Sequence, residues 1–208
     1  MEEWSYIEEC IEESIQKIFK HHPVHTLNDY ERRKIIFEYL TKTIDYDHGK
    51  LNSLIEAEIT KTPIRRNPTE ELLSVIDFNY GICNGISQYY KLLLERIGIK
   101  SHCVIVDDTT PVNHQMLLVY NQETDTYSFD DVTSVIVGRG TQEEFFDYDV
   151  EQAKKMGQGT KTIYEDRSFV ILPEEYINFV VKRVQGPTKT IEYLPENIKS
   201  LKPRGSVK

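Results

Sequence analysis

The sequence predicts an α+β fold in which N-terminal helices and one central helix pack on an antiparallel sheet. Three observations lead there. Apolar residues recur at helical spacing through the first half of the chain. After Gly98 the pattern changes to period two. The strands that follow are separated by turn-length gaps, which suit a meander rather than alternating α/β units.

From Glu2 to about Lys20, Trp4, Ile7, Ile11, Ile15, Ile18 and Phe19 form a helical stripe, ended by His21, His22 and Pro23. A second helix is expected from about Asn28 to Ile44, with Tyr30, Ile36, Tyr39, Leu40 and Ile44 on one stripe and Asn28 or Asp29 as cap. A third spans Leu51 to Thr60. Pro63 and Pro68 bracket a basic loop, after which Thr69–Glu70–Glu71–Leu72 reads as a helix start with Thr69 as the capping hydroxyl. Cys83 to Ile97 is strongly helical, and Gly98 stops it. Strands are expected at about His102–Val106, Gln115–Tyr120 and Thr126–Val132, with Thr133–Val137 extending the sheet. Glu143–Met156 reads as a further helix, Phe169–Leu172 as a last strand, and Pro173 as the start of a helix through Val184. This gives one domain over residues 1–184, with a helical part at 1–62 and a core at 63–184, and a basic tail at 185–208.

Of 208 residues, 39% are hydrophobic and 28% charged, which supports a packed core. The net charge of -9 disfavours nucleic acid as a partner, because phosphate binding needs a basic patch. No run approaches the ~18 apolar residues of a membrane span. The acidic N-terminus lacks the apolar core of a signal peptide, and three cysteines, an odd number, do not make a disulfide framework. A cytoplasmic protein with no membrane partner is expected. The His21–His22–His25 cluster surrounds Pro23 without a partner at ligand spacing, and Asp107–Asp108 reads as a turn, so neither metal nor cofactor is expected. The sequence carries no signal of oligomeric state.

The chemistry concentrates in Asn79–Tyr80–Gly81–Ile82–Cys83–Asn84–Gly85–Ile86–Ser87. A thiol where a loop becomes a helix feels the positive end of the helix dipole, which favours thiolate. Free N–H groups of the first turn can stabilise an oxyanion. Gly81 and Gly85 leave room for a substrate backbone. Taken alone, Cys83 also reads as a small core residue. The strands tip that balance. His114, Met116, Leu118 and Tyr120 share one face, and Tyr127, Phe129, Asp131 and Thr133 share another. A turn centred between Gln122 and Glu123 sets His114 opposite Asp131, each interrupting an apolar face and each the other's natural partner. Packing the Cys83–Ile86–Tyr90–Leu94–Ile97 stripe on the His114 face brings the thiol to the imidazole. Asp130 faces the other way by strand alternation, leaving Asp131 as the carboxylate that orients the ring.

The segments YGICNGISQYYKLLLERIGIKSHCVIV, VNHQMLLVY and YSFDDVT resemble the transglutaminase-like superfamily, a branch of the papain-like thiol enzymes. The resemblance covers about Tyr80 to Thr133. It implies Cys83 as nucleophile, His114 as base and Asp131 as the third member. Tyr46 becomes a candidate for oxyanion assistance, and Tyr80 and Gly81 flank the substrate path. The family often carries Trp two residues after the His, where Met116 stands here, which puts the wall of the acyl pocket in question. The implied activity is thiol-dependent acyl transfer on peptide or protein amides by hydrolysis, deamidation or amine transfer, with hydrolysis or deamidation favoured. The alternative is an inactive protein-binding module on the same scaffold.

Overall fold

The computed structural model describes residues 3–64, 66–106, 114–149, 152 and 170–171. In chain order they form α1 (Glu3–Ile18), α2 (Asp29–Thr43), β1 (Asp45–Tyr46), α3 (His48–Thr60), α4 (Pro68–Phe78), β2 (Tyr80–Gly81), α5 (Cys83–Arg96), β3 (Ser101–Val106), β4 (His114–Asn121), β5 (Thr126–Asp130), α6 (Val132–Ile136), α7 (Gln142–Phe145) and β6 (Val170–Ile171). The expected α+β class holds. The expected helix over 173–184 and the tail at 185–208 lie outside the described residues.

α5 is the axis of the fold. Every residue from Asn84 to Leu94 is buried, with the sheet of order β5-β4-β3-β6 on one side and α1, α2 and α4 on others. Its stop is the one the sequence announces: Gly98 takes a φ of +82°, a left-handed conformation that costs glycine nothing. Ile7, Ile11, Ile36, Phe37, Leu40, Leu72, Val75, Ile86, Leu93 and Leu94 form one core with Leu117 and Val119 of the sheet.

Local chemistry sets the helix starts. Asn28 caps α2 through a reciprocal box with Glu31. Asp47 caps α3, which begins ahead of the expected Leu51. Asn67, not Thr69, caps α4, because Pro68 at the first helical position moves the start forward. β1 and β2 were not foreseen. They are two-residue parallel strands pairing Asp45 with Tyr80 and Tyr46 with Gly81, too short to show periodicity.

The hairpin departs from expectation in two ways. Asp130 pairs with Leu117, whereas the expected register pairs it with Gln115. This two-residue shift leaves every side chain on its original face. β5 also ends at Asp130, and Thr133–Val137 does not extend the sheet. Asp131 turns the chain into α6, accepting a hydrogen bond from the Ser134 N–H at 3.0 Å as the cap. The expected helix from Glu143 ends at Phe145. Tyr148 instead bridges to Phe129, with N–H to O distances of 2.8 and 3.1 Å, and the rest of that helix lies outside the described residues.

The sheet face turned to α5 is also the reverse of the expected one. Gln115, Leu117 and Val119 face the helix, with Asp130 and Ser128 beside them. Met116, Leu118 and Phe129 face away, where Tyr148 donates to the Met116 sulfur at 3.0 Å and stacks obliquely near Phe129.

Asp130 therefore needs a partner in the core, and Arg33 of α2 supplies it. The guanidinium, 3% exposed, donates to Asp130 Oδ2 at 2.6 Å and Oδ1 at 2.5 Å, to Ser128 Oγ at 3.0 Å and to Asp147 Oδ1 at 3.1 Å. Tyr90 of α5 donates to Asp130 Oδ2 at 2.7 Å, and the Asp147 N–H to Oδ1 at 2.7 Å. Removing one side of a buried ion pair strands the other charge. Arg33→Ala is expected to lower the unfolding free energy by about 3–5 kcal/mol, measured by urea denaturation.

Candidate active site

Cys83 is the first residue of α5, following Ile82, which supplies no side-chain cap. The helix N–H groups near the sulfur are thus left to other partners. The thiol is half-buried. His114 opens β4, and Asp131 caps α6 immediately after β5. The three meet although their register differs from the one expected. His114 Nε2 lies 2.9 Å from Asp131 Oδ2, and the ring stands near enough to the Cys83 thiol for each to shift the other's ionisation. With Nε2 committed to the carboxylate, Nδ1 is the nitrogen that serves the sulfur. Asp131 is fixed by more than the ring. Its Oδ2 accepts the Ser134 hydroxyl at 2.6 Å, and its N–H donates to the Phe145 carbonyl at 2.9 Å.

The electrostatics follow from this line. Burial would raise the Cys83 thiol, but the His114 hydrogen bond and charge, the Gln115 backbone N–H and the Arg66 guanidinium bring it below its ordinary value. Burial would lower the His114 imidazole, but the Asp131 carboxylate foremost, and Cys83, hold it well above its ordinary value. Burial acts upward on Asp131, yet His114 and Ser134 hold it below the usual carboxylate range. Both shifts run towards the charged forms, thiolate on Cys83 and imidazolium on His114. The linkage signs are opposite for the two partners. The stabilisation from Asp131 is present above its unfolded value and lost as pH falls through its depressed folded value. That from His114 is full below the ordinary imidazole value and lost as pH rises through its elevated one.

Tyr46 of β1 lies against this group. Its hydroxyl faces the Cys83 backbone, and burial, then the Cys83 charge, raises the phenol above its ordinary value, keeping it protonated. Tyr80 is 41% exposed and its hydroxyl donates to Asp47 at 3.1 Å, at the rim. Gly81 and Gly85 also serve another purpose than substrate access. A Cβ on Gly85 would lie 2.2 Å from the Glu71 carbonyl oxygen, and one on Gly81 would lie 2.4 Å from a Val75 methyl. Both glycines let α4 close onto the start of α5, so the room they leave is filled by the protein itself. Met116 lies on the same face of β4 as His114, where its sulfur accepts from the Tyr148 hydroxyl at 3.0 Å.

Sequence reasoning missed Ser134 and Arg33. The Asp-x-x-Ser spacing from Asp131 signals a capping turn, and an arginine in line with Ile36, Phe37 and Leu40 signals a buried charge awaiting a partner. Among the described residues, no group of three His, Cys, Asp or Glu is arranged to hold a metal ion, and no helix is long and apolar enough to cross a membrane.

The chain is similar in structure to a solved crystal structure of a TGase (transglutaminase), with a TM-score of 0.52 and 18% sequence identity over 74% of this chain. The match spans 38% of that TGase chain. No protein-family model matches the sequence, and no curated protein does. The likeness is one of fold: the chain has a transglutaminase-like arrangement of helix and sheet.

Two measurements check this geometry. Gly85→Ala is expected to cost about 1–3 kcal/mol and to lower the melting temperature, because the added methyl meets backbone rather than a side chain that can move. Iodoacetamide near pH 6 is expected to label Cys83 far faster than Cys103, whose thiol burial pushes up to about 12. His114→Ala should abolish the preference, as read by peptide mass spectrometry.

Proposed function

We propose that this protein is a cysteine-dependent acyl-transfer enzyme acting on peptide or protein amides, with Cys83 as nucleophile, His114 as acid and base, and Asp131 as the carboxylate orienting the imidazole. The observation that carries the reading is the imidazole held at 2.9 Å by a capped carboxylate beside a thiol at the start of a buried helix. The transglutaminase-like fold supports it.

In this reading the Cys83 thiolate attacks the amide carbon and forms a carbon–sulfur bond. The carbonyl oxygen takes the negative charge beside the Cys83 N–H and the Tyr46 hydroxyl, two donors already adjacent to one another. The carbon–nitrogen bond breaks, and Nδ1 of His114 gives its proton to the departing amine or ammonia. The thioester is then attacked by water, or by an amine, whose proton returns to His114 while the thiolate leaves. Asp131 stays ionised throughout and holds Nε2–H, so that Nδ1 always faces the sulfur. Hydrolysis or deamidation of a glutamine side chain needs only water as acceptor.

Incubation with glutamine peptides, with and without a primary amine, is expected to release ammonia and to yield an acyl adduct on Cys83 in mass spectra after acid quench. Cys83→Ala should abolish both with the fold intact. Asp131→Asn should keep the fold and lower turnover by orders of magnitude through the wrong imidazole tautomer. Full activity in Asp131→Asn would overturn the assignment.

A further inference from the structure

His114 and Gln115 are neighbours on one strand, so their side chains leave it on opposite faces. α5 packs on the Gln115 face, yet Cys83 of α5 meets His114. The two can meet only where the start of β4 is drawn close to the first turn of α5. Two hydrogen bonds draw it there. The buried Ser87 hydroxyl, one turn along α5 from Cys83, donates to the Gln115 carbonyl at 3.0 Å. The Gln115 side chain, 5% exposed, donates back to the Asn84 carbonyl at 3.5 Å. The N–H and C=O of one strand residue point to the same side, so the Gln115 N–H faces the first turn of α5 along with its carbonyl, on the Cys83 side.

This arrangement is not required by the strand ladder or by helix formation. A serine inside a buried helix ordinarily turns its hydroxyl onto a carbonyl of its own helix, as Ser14 does with Cys10 at 2.7 Å. Ser87 reaches across to the strand instead. Thiolates are held by the donors around them, and each hydrogen bond to a charged acceptor is worth more than one to a neutral group.

We propose that the Gln115 peptide N–H is a second hydrogen-bond donor to the Cys83 thiolate, alongside His114, and that Ser87 is a positioning residue that sets this amide and the adjoining His114 against the sulfur. The inference rests on the active-site reading above and adds to it a device by which the helix carrying the nucleophile also holds the strand carrying the base. The amide is a fixed dipole that does not titrate. It favours thiolate in every protonation state of His114, so the ion pair does not rest on the imidazole alone.

The experiment is the pH profile of iodoacetamide labelling at Cys83, resolved by peptide, in wild type, Ser87→Ala and Ser87→Thr, with the Gln115 amide followed by 1H–15N NMR in the wild type. Ser87→Ala removes the anchor on the Gln115 carbonyl, and the loosened bond from its N–H to the charged sulfur should raise the midpoint by about half to one pH unit. The labelling rate below the midpoint should fall about three- to tenfold by the same reckoning. Ser87→Thr, which keeps the hydroxyl, should return towards wild type. The wild-type Gln115 amide proton should shift with the same midpoint as Cys83. A wild-type Gln115 amide that ignores the Cys83 titration overturns the inference whether or not the variants fold, as does an unchanged midpoint in folded Ser87→Ala. A wild-type Cys83 that labels like an ordinary thiol overturns the active-site reading itself, a result separable from either of these.

Discussion

A guanidinium buried among helices and strands must find acceptors for its donors and a counter-charge, and the placement of Arg33 constrains much that surrounds it. Its partners come from β5 and from the segment after α7, and Tyr90 of α5 shares the same carboxylate. Asp130 cannot slide along the strand without breaking these bonds, and that fixes where β5 ends. The next residue, Asp131, begins α6 at that point. The buried ion pair thus sets the position of the carboxylate beside His114 without touching it.

The neighbouring aspartates divide two tasks by strand alternation. Asp130 turns into the core and answers a permanent cation. Asp131 turns out of the sheet, caps a helix and meets a titratable ring. Each is held by at least two other donors, so neither relies on its charge partner alone for orientation. A carboxylate fixed in this way can hold the imidazole without rearranging when the ring gains or loses its proton.

Much of this was legible in the sequence, for identifiable reasons. The long helices announce themselves by periodicity and caps, as in α2 with Asn28 and Glu31, and α5 ends where Gly98 permits a left-handed turn. Cys83, His114 and Asp131 were legible as residue types interrupting apolar or glycine-rich patterns, and the structure brings them together. The hairpin register was not, because its turn between Asn121 and Thr126 is polar throughout and has no glycine to fix the centre. The sheet face packed on α5 was misjudged because both faces of β4 are buried: Met116 and Leu118 on one, Leu117 and Val119 on the other. Alternation then carries no inside or outside signal. The glycines around Cys83 read as substrate access for want of knowledge of α4, a partner distant in sequence from the strands but packed against Cys83's turn of α5.

α6 has five residues, far below the length at which a helix holds in water unaided. It persists because α2, α5 and β1 press on it. Ribosomes deliver Cys83 before His114 and Asp131, and the cap cannot form until α6 has neighbours. A nascent or partly opened chain therefore carries an ordinary protonated sulfhydryl. The charged surroundings of Cys83 are a property of the completed fold, assembled only once β4 and α6 have joined α5.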